Sequence, residues 1–288
     1  LPNDNKETPL TRQLEEKGAR IFYGQKASNI IEGIDVVVYT AAIHEDNEEY
    51  QAAVQKGLPL LSRAELLGQL MANYKIPIAV AGTHGKTTTT SMLSQILLAG
   101  DLDPTISVGG ILPSIGGNIR VGDSDLFVTE ACEYTNSFLH FLPKISIILN
   151  IDADHLDFFK DLDDIRSSFR RFAQLLPSDG ALIINGNIPD LEGFTEGLPC
   201  QVISYGMDSS FDYAAVNLSY GTDGTVSFDF IKEGIFVDRI SLSVNGEHNV
   251  QNALASLAVA DLLHLPLEIS KQGLKDFKGT DRRFQHKG

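Results

Sequence analysis

Ile76-Pro-Ile-Ala-Val-Ala-Gly-Thr-His-Gly-Lys-Thr-Thr-Thr-Thr-Ser91 is the stretch that decides the fold of this chain. Ile76 to Ala81 is an apolar run of strand character; Gly82, Thr83, His84 and Gly85 make a tight turn; Lys86 and Thr87 open a helix. Strand, glycine turn and helix start together present backbone N–H groups to a phosphate. Lys86 adds a cation for β and γ phosphates, and the Thr87 hydroxyl can bind Mg²⁺. The general phosphate-loop pattern pairs the glycine before the lysine with another across four residues. Here that place is Val80, so the loop is a shortened variant, Gly82-Thr-His-Gly-Lys-Thr87. Thr87 to Thr90 are β-branched and a poor choice for a helix on propensity. Phosphate and metal contacts would account for them; so would plain capping and solvation of a first turn.

Upstream of the loop the pattern alternates between strand and helix. Thr8 to Lys17 has helical spacing, Ala19 to Tyr23 reads as a short strand, and Ile34 to Tyr39 as a stronger one. Asn47 to Lys56 is a helix closed by Gly57, and Leu58 to Leu61 a buried strand. Ser62 caps a further helix to about Ala72, with Glu65 completing a capping box. This makes residues 1–75 a parallel α/β domain that lacks its opening units, with a boundary expected at Asn73 to Lys75.

Downstream, residues 76–276 read as a central α/β domain. Its first helix runs from Thr87 to Ala99, and Gly109 to Gly122 is a glycine-rich loop with little regular structure. Asp125 to Thr129 and Ile145 to Leu149 are near-continuous apolar strands, as expected of strands covered on both faces. Ile165 to Leu176 is an amphipathic helix, and Ala181 to Ile184 and Gln201 to Tyr205 are strands. From Tyr213 the period changes to two: Val216 to Tyr220 and Thr225 to Ile231 flank a Gly221-Thr-Asp-Gly224 turn, with a further strand over Ile235 to Val244. A helix from about Asn249 to Leu263 follows. The expected fold is therefore a mostly parallel α/β nucleotide-binding domain with an added antiparallel hairpin region.

The 288 residues suggest about two domains, and 43% hydrophobic with 21% charged residues is ordinary for a globular chain. A net charge of −15 without a Lys/Arg cluster makes duplex nucleic acid and an anionic membrane poor partners. No apolar run approaches the ~20 residues that span a bilayer. Two cysteines, Cys132 and Cys200, make no disulfide framework and fit a reducing, cytoplasmic compartment. The opening Leu1-Pro-Asn-Asp-Asn-Lys and the close Asp281-Arg-Arg-Phe-Gln-His-Lys-Gly288 suggest a fragment truncated at both ends.

Three features fall where an open parallel sheet places its ligands, beyond strand carboxyl ends. They are the glycine loop, Glu130 after Leu126-Phe-Val-Thr129, and His155 after Ile147-Ile-Leu-Asn-Ile-Asp-Ala-Asp154. Together they describe a Mg²⁺-nucleotide site, in which Thr87 and Glu130 suit one ion and His155 a second shared with Glu130. Glu130 also reads as a solvated strand-end carboxylate, and Asp152, Asp154 and Asp157 as capping acids around His155. Asn249 and Asn252, three apart at a helix start, can hold a purine edge, although capping alone explains them. Cys132 beside Glu130 lacks a histidine at triad spacing and reads as a small hydrophobe.

Gly82-Thr-His-Gly-Lys-Thr-Thr-Thr-Thr90, Glu130-Ala-Cys-Glu-Tyr134, Asn150-Ile-Asp-Ala-Asp-His-Leu-Asp157, Gly246-Glu-His-Asn-Val-Gln-Asn-Ala253 and Phe277-Lys-Gly-Thr-Asp-Arg-Arg-Phe284 resemble the ordered motifs of the Mur ligases. The resemblance covers nearly the whole chain. It implies that residues 1–75 are an incomplete Rossmann-like UDP-sugar domain and residues 76–276 a central P-loop-type ATP domain, and that a C-terminal domain supplies amino-acid contacts, with residues 277–288 the hinge into it. It further implies ATP and Mg²⁺ as cofactors and formation of an acyl phosphate that an amine then attacks. The loop histidine and the Asp-Ala-Asp-His-Leu-Asp run point to the branch that joins L-alanine to UDP-N-acetylmuramate in peptidoglycan precursor synthesis.

On this resemblance Lys86, Glu130 and His155 are catalytic, and Thr87, Glu130 and His155 bind metal. Gly82, Thr83, His84, Gly85, Lys86, Thr87 and Thr88 would line the nucleotide phosphates, His248, Asn249 and Asn252 the adenine, and Arg283 the phosphates again. The family's UDP-sugar glycine loop would precede Asn5 and most of the C-terminal domain would follow Gly288, so the isolated chain is expected to bind nucleotide weakly and not to turn over. Thr40 to Ile43 and Gly109 to Gly122 are UDP-sugar candidates by position only. The alternatives are a recycling ligase that attaches a tripeptide to the same UDP-sugar, and a nucleotide-binding module without chemistry.

Overall fold

The computed structural model describes residues 3–4, 6–222 and 224–279. Among these, two compact units divide between Leu67 and Gly68. The first unit holds β1 (Asn3–Asp4), α1 (Pro9–Glu16), β2 (Phe22–Tyr23), β3 (Val37–Tyr39), α2 (Glu48–Gln55) and β4 (Leu60–Ser62), and α3 (Arg63–Met71) runs across the division. The pairs β1–β2 and β3–β4 are both parallel. Each helix starts where a side chain serves its orphan N–H groups. Thr8 and Thr11 exchange side-chain to backbone bonds at α1, and the Asn47 carboxamide accepts from Glu49 and Tyr50 at α2. At α3 the Ser62 hydroxyl accepts from the Glu65 N–H at 3.2 Å while Glu65 accepts from Ser62 N at 2.6 Å, the reciprocal box read from the sequence.

The second unit is built on β5 (Ile76–Ala81), α4 (Lys86–Ala99), β6 (Thr105–Leu112), β7 (Gly117–Arg120), β8 (Leu126–Ala131), β9 (Ile145–Ile148), α5 (Leu162–Ala173), β10 (Ala181–Asn185), α6 (Leu191–Thr195), β11 (Gln201–Gly206), β12 (Tyr213–Tyr220), β13 (Thr225–Lys232), β14 (Ile235–Asn245), α7 (Glu247–Leu262) and α8 (Leu267–Asp276). Its strands form one sheet in the order β14-β13-β12-β11-β10-β9-β5-β8-β6-β7. From β12 to β6 every neighbour is parallel; β13 and β14 at one side and β7 at the other are antiparallel. The central strands are buried along almost their whole length, which is why they read as unbroken apolar runs.

Two expectations change here. Gly109 to Gly122 is not a loop of little regular structure: β6 and β7 pair through it as a hairpin, with β6 parallel to β8 on its other side. Its glycines and Pro113 hide the strands, because they lack the β-branched side chains that mark one. The helix α8, the short α6 and the two-residue β1, where no lead-in strand was expected, are elements that the periodicity missed.

Helix α4 packs on α7 and α8. Its threonines are part of the core: Thr89 and Thr90 are fully buried rather than turned to a ligand, so only Thr87 and the half-buried Thr88 remain near the loop. Their methyl groups are the physical reason, since a β-branched residue fills a packed core as valine would. A Cβ at Gly273 of α8 would lie 2.6 Å from the Ile96 Cα, so the two helices meet backbone to backbone.

Candidate active site

The site begins with register. Val80 of β5 pairs with Glu130 of β8, Ala81 with Ala131, and Ala81 with Ile148 of β9 on its other side. Three adjacent parallel strands thus end at one level, and the segments leaving them carry the glycine loop, Glu130 with Glu133, and Asn150 to His155. Strand connections run in opposite directions from β5, which opens the crevice that doubly wound sheets use for ligands.

Gly85 sits at φ 88° and caps α4 without a side chain. A Cβ there would meet Asn252 Oδ1 at 2.9 Å and Leu149 Cδ1 at 3.2 Å, so both the left-handed backbone and the space demand glycine. The loop is strapped to the segment after β9. Thr83 N donates to Asn150 O, His84 N to Asn150 Oδ1 at 2.7 Å, and Asn150 Nδ2 returns a bond to His84 O at 3.0 Å. Two loop amides expected to face phosphate are therefore engaged with Asn150. The N–H groups of the first turn of α4, which have no intrahelical acceptor, are the ones left for an anion.

Lys86 folds back over the loop. Its Nζ donates to Gly82 O at 2.6 Å, Thr83 O at 3.2 Å, and Glu133 Oε2 and Oε1 at 2.9 and 3.2 Å. The Thr87 hydroxyl donates to Glu130 Oε2 at 3.1 Å, and Gly109 N donates to the other Glu130 oxygen. A Cβ on Gly109 would stand 3.0 Å from both Glu130 carboxylate oxygens, so this strand lets the carboxylate approach its backbone closely.

His155 takes a left-handed backbone, φ 52°, unusual for a residue with a side chain and of the kind that clusters at functional sites. The Tyr134 ring lies 4.7 Å from its imidazole, and the Tyr134 hydroxyl donates to Asp157 at 3.0 Å. That carboxylate pushes the Tyr134 phenol above its usual range. The carboxylate recorded beside the imidazole is Glu133, with Oε1 3.9 Å from His155 Nε2. Glu133, only 2% exposed, thus joins Lys86 and His155, a role that the quoted Glu130-Ala-Cys-Glu-Tyr134 run held without showing it. Its one legible signal was a second acid just past a buried strand.

Asn249 and Asn252 are buried at the start of α7. Asn252 Nδ2 donates to Asn249 Oδ1 and Asn249 Nδ2 to Asn245 O, so their amide groups serve the helix start. The Asn252 oxygen nevertheless faces Gly85, which brings this helix to the phosphate loop. His248 is exposed in the same first turn. Arg283 lies outside the described residues. Cys132 is exposed, and desolvation first, then Glu133, raises its thiol, which disfavours a thiolate nucleophile. In the first unit, Tyr39, Thr40, Ala42 and Ile43 line a cleft of about 850 Å³.

The donor set suits Mg²⁺ with nucleotide. A hydroxyl and a carboxylate, both hard oxygen donors, stand together at the head of a phosphate-type loop. Among the described residues no cluster of three or more His, Cys, Asp or Glu forms an all-protein cage. Mg²⁺ characteristically takes one or two carboxylates and completes its shell with phosphates and water.

A mostly parallel sheet with a glycine loop, a lysine and a hydroxyl–carboxylate pair at its carboxyl edge is the architecture of P-loop-type α/β domains. The chain belongs to the Mur ligase family: residues 80–260 match the Mur ligase middle domain and residues 3–75 the Mur ligase family, catalytic domain. The UDP-N-acetylmuramate--L-alanine ligase of Agathobacter rectalis is 57% identical over 286 residues, 99% of this chain and 62% of that protein. The protein of the same description from Lachnospira eligens is 54% identical over 287 residues, with the same two shares of 99% and 62%. The chain therefore spans about 62% of the length of these curated relatives. Among solved structures, the UDP-N-acetylmuramate:L-alanyl-gamma-D-glutamyl-meso-diaminopimelate ligase from Neisseria meningitides superposes with a TM-score of 0.87 at 29% identity, over 97% of this chain and 90% of that one. The UDP-N-acetylmuramate-alanine ligase from Thermotoga maritima gives 0.84 at 30% identity, over 98% of this chain and 63% of that one.

Proposed function

We propose that this chain is the nucleotide-binding part of a cytoplasmic, ATP-dependent ligase that joins L-alanine to the lactyl carboxylate of UDP-N-acetylmuramate. The observation that carries this is the meeting of Lys86, the Thr87–Glu130 pair and His155 at the ends of three adjacent strands, in a chain of this family.

A carboxylate oxygen of the sugar attacks the γ-phosphorus of ATP, the bond from that phosphorus to the bridging oxygen breaks, and ADP leaves. The amine of L-alanine attacks the acyl carbon of the acyl phosphate, inorganic phosphate departs, and the amine gives up a proton. Both reactants of the first step are anions; at about 4 Å their repulsion is roughly 4 kcal/mol at an effective dielectric of about 20. Lys86 offsets part of it beside the γ-phosphate. Thr87 with Glu130, and Glu130 with His155, would hold Mg²⁺, which when bound neutralises charge on the phosphoryl oxygens. The first-turn amides of α4 receive the phosphates, Asn249 and Asn252 with His248 border the adenine, and the rigid sheet edge supplies the alignment on which phosphoryl transfer depends.

The superposition on a tripeptide ligase favours one second reading, in which a murein tripeptide is the acceptor. Two proteins are assayed, a chimera in which this chain replaces the matching 62% of the Agathobacter rectalis protein and the full-length gene product, whose acceptor contacts are its own and which separates the two readings; ADP release is followed with UDP-N-acetylmuramate and each acceptor. Release with L-alanine is expected. Release with tripeptide but not with L-alanine overturns the first reading, and release with neither leaves only nucleotide binding.

A further inference from the structure

We infer that Glu133 is a positioning residue for phosphoryl transfer, acting through Lys86 and His155; the inference rests on the ligase reading above. A carboxylate that is 2% exposed is retained only where it is paired, and here its pairing lies wholly within the site. Both of its oxygens accept from Lys86 Nζ, and one faces His155 Nε2 at 3.9 Å.

Lys86 carries three donors on a flexible stem of four carbons, and Gly82 O, Thr83 O and Glu133 take all three directions. Two of those acceptors belong to the loop itself. Glu133 alone ties the ammonium to a different strand, so it fixes where the cation stands relative to Glu130 and His155. Glu133 is in turn held from behind. Its carbonyl accepts from Asn136 N, the Cys132 carbonyl accepts from Phe138 N, and Phe138 lies stacked on Phe172 at 4.6 Å and edge-on to Phe169 at 5.3 Å. The carboxylate therefore sits on a packed anchor rather than on a mobile loop.

The charge logic gives the inference its own signature. A second carboxylate beside a phosphate site opposes nucleotide binding, so Glu133 is not there for affinity. Neutralising it should leave nucleotide affinity intact or tighter while the aim of Lys86 and His155 is lost.

The test uses Glu133→Gln, which keeps shape and an acceptor oxygen, and Glu133→Asp, which keeps charge but withdraws it by one carbon. Binding of Mg·ATP and melting temperature are measured on the 288-residue chain, and turnover in the chimera. Partners that orient a catalytic group typically matter by about 10–100-fold in activity. Both variants should lose kcat in that range, with KM for ATP and the binding constant unchanged or lower. A kcat within about threefold of the parent overturns the inference, since that lies below the range for orienting partners. So does a fall in kcat matched by equal losses of ATP affinity and melting temperature, which marks a buried structural ion. Absence of substrate-dependent ADP release in the unmutated chimera is a different result: it removes the ligase reading before any Glu133 variant is measured.

Discussion

Lys86 donates to Gly82 O, Thr83 O and Glu133, and the last is a partner that the sequence did not show. Removing a preorganised cation or donor from a transition-state site typically costs roughly 10²–10³ in turnover. Lys86→Ala and His155→Ala should each fall at least that far in the chimera, and near-parent turnover for His155→Ala would remove the imidazole from the site. Lys86, Thr87 and Glu130 were expected together because the chemistry needs those residue types at a strand end beside a glycine turn, and the structure does bring Thr87 to Glu130. Glu133 was not, because an acid past the end of a strand is ordinarily solvated, and the side chains that meet it here, Lys86 and His155, come from other strand ends. The engagement of the Thr83 and His84 amides by Asn150 was equally hidden, since it depends on a neighbouring strand far away in the chain.

Among the elements, those with a strong period or a run of β-branched residues were readable, from the buried β5, β9 and β10 to the antiparallel β12–β13 pair. The β6–β7 hairpin and α8 were not, as glycines carry no pattern and α8 is held by contact rather than by propensity. That contact is testable. Gly273→Ala forces a Cβ to 2.6 Å from the Ile96 Cα and should destabilise by about 1–3 kcal/mol, read as a lower urea midpoint. At the other end of α7, Asp261 accepts from Tyr213 at 2.6 Å and Lys232 at 2.8 Å, clamping β12 and β13 to the helix. Burial alone would raise the Asp261 carboxyl, but the bonds from Lys232 and Tyr213 outweigh it and hold it below its ordinary 3.8. A depressed folded value means stability that is present above the unfolded value and lost as pH falls through the folded one. Asp261→Asn should therefore cost about 1 kcal/mol at pH 7, discounted for its partial exposure. That difference should shrink as pH drops below 3.8; equal differences at pH 7 and pH 3 would contradict the clamp.

At the scale of the whole molecule the chain divides into two compact units between Leu67 and Gly68, and the second carries the loop, Glu130, Glu133 and His155. Among the described residues no helix is long and apolar enough to cross a membrane. The α/β architecture of both units was readable from alternation, and the glycine loop, Glu130 and His155 were expected at one sheet edge; the register that levels the three strand ends was not readable, because register is a property of pairing. On the proposed function this edge builds an acyl phosphate from a substrate carboxylate. That step is tested most directly by giving the chimera UDP-N-acetylmuramate labelled with ¹⁸O in the lactyl carboxylate, with ATP and L-alanine, and weighing the inorganic phosphate released. Attack of the carboxylate on the γ-phosphorus leaves one labelled oxygen in each phosphate formed with product. Unlabelled phosphate in step with product would contradict the account.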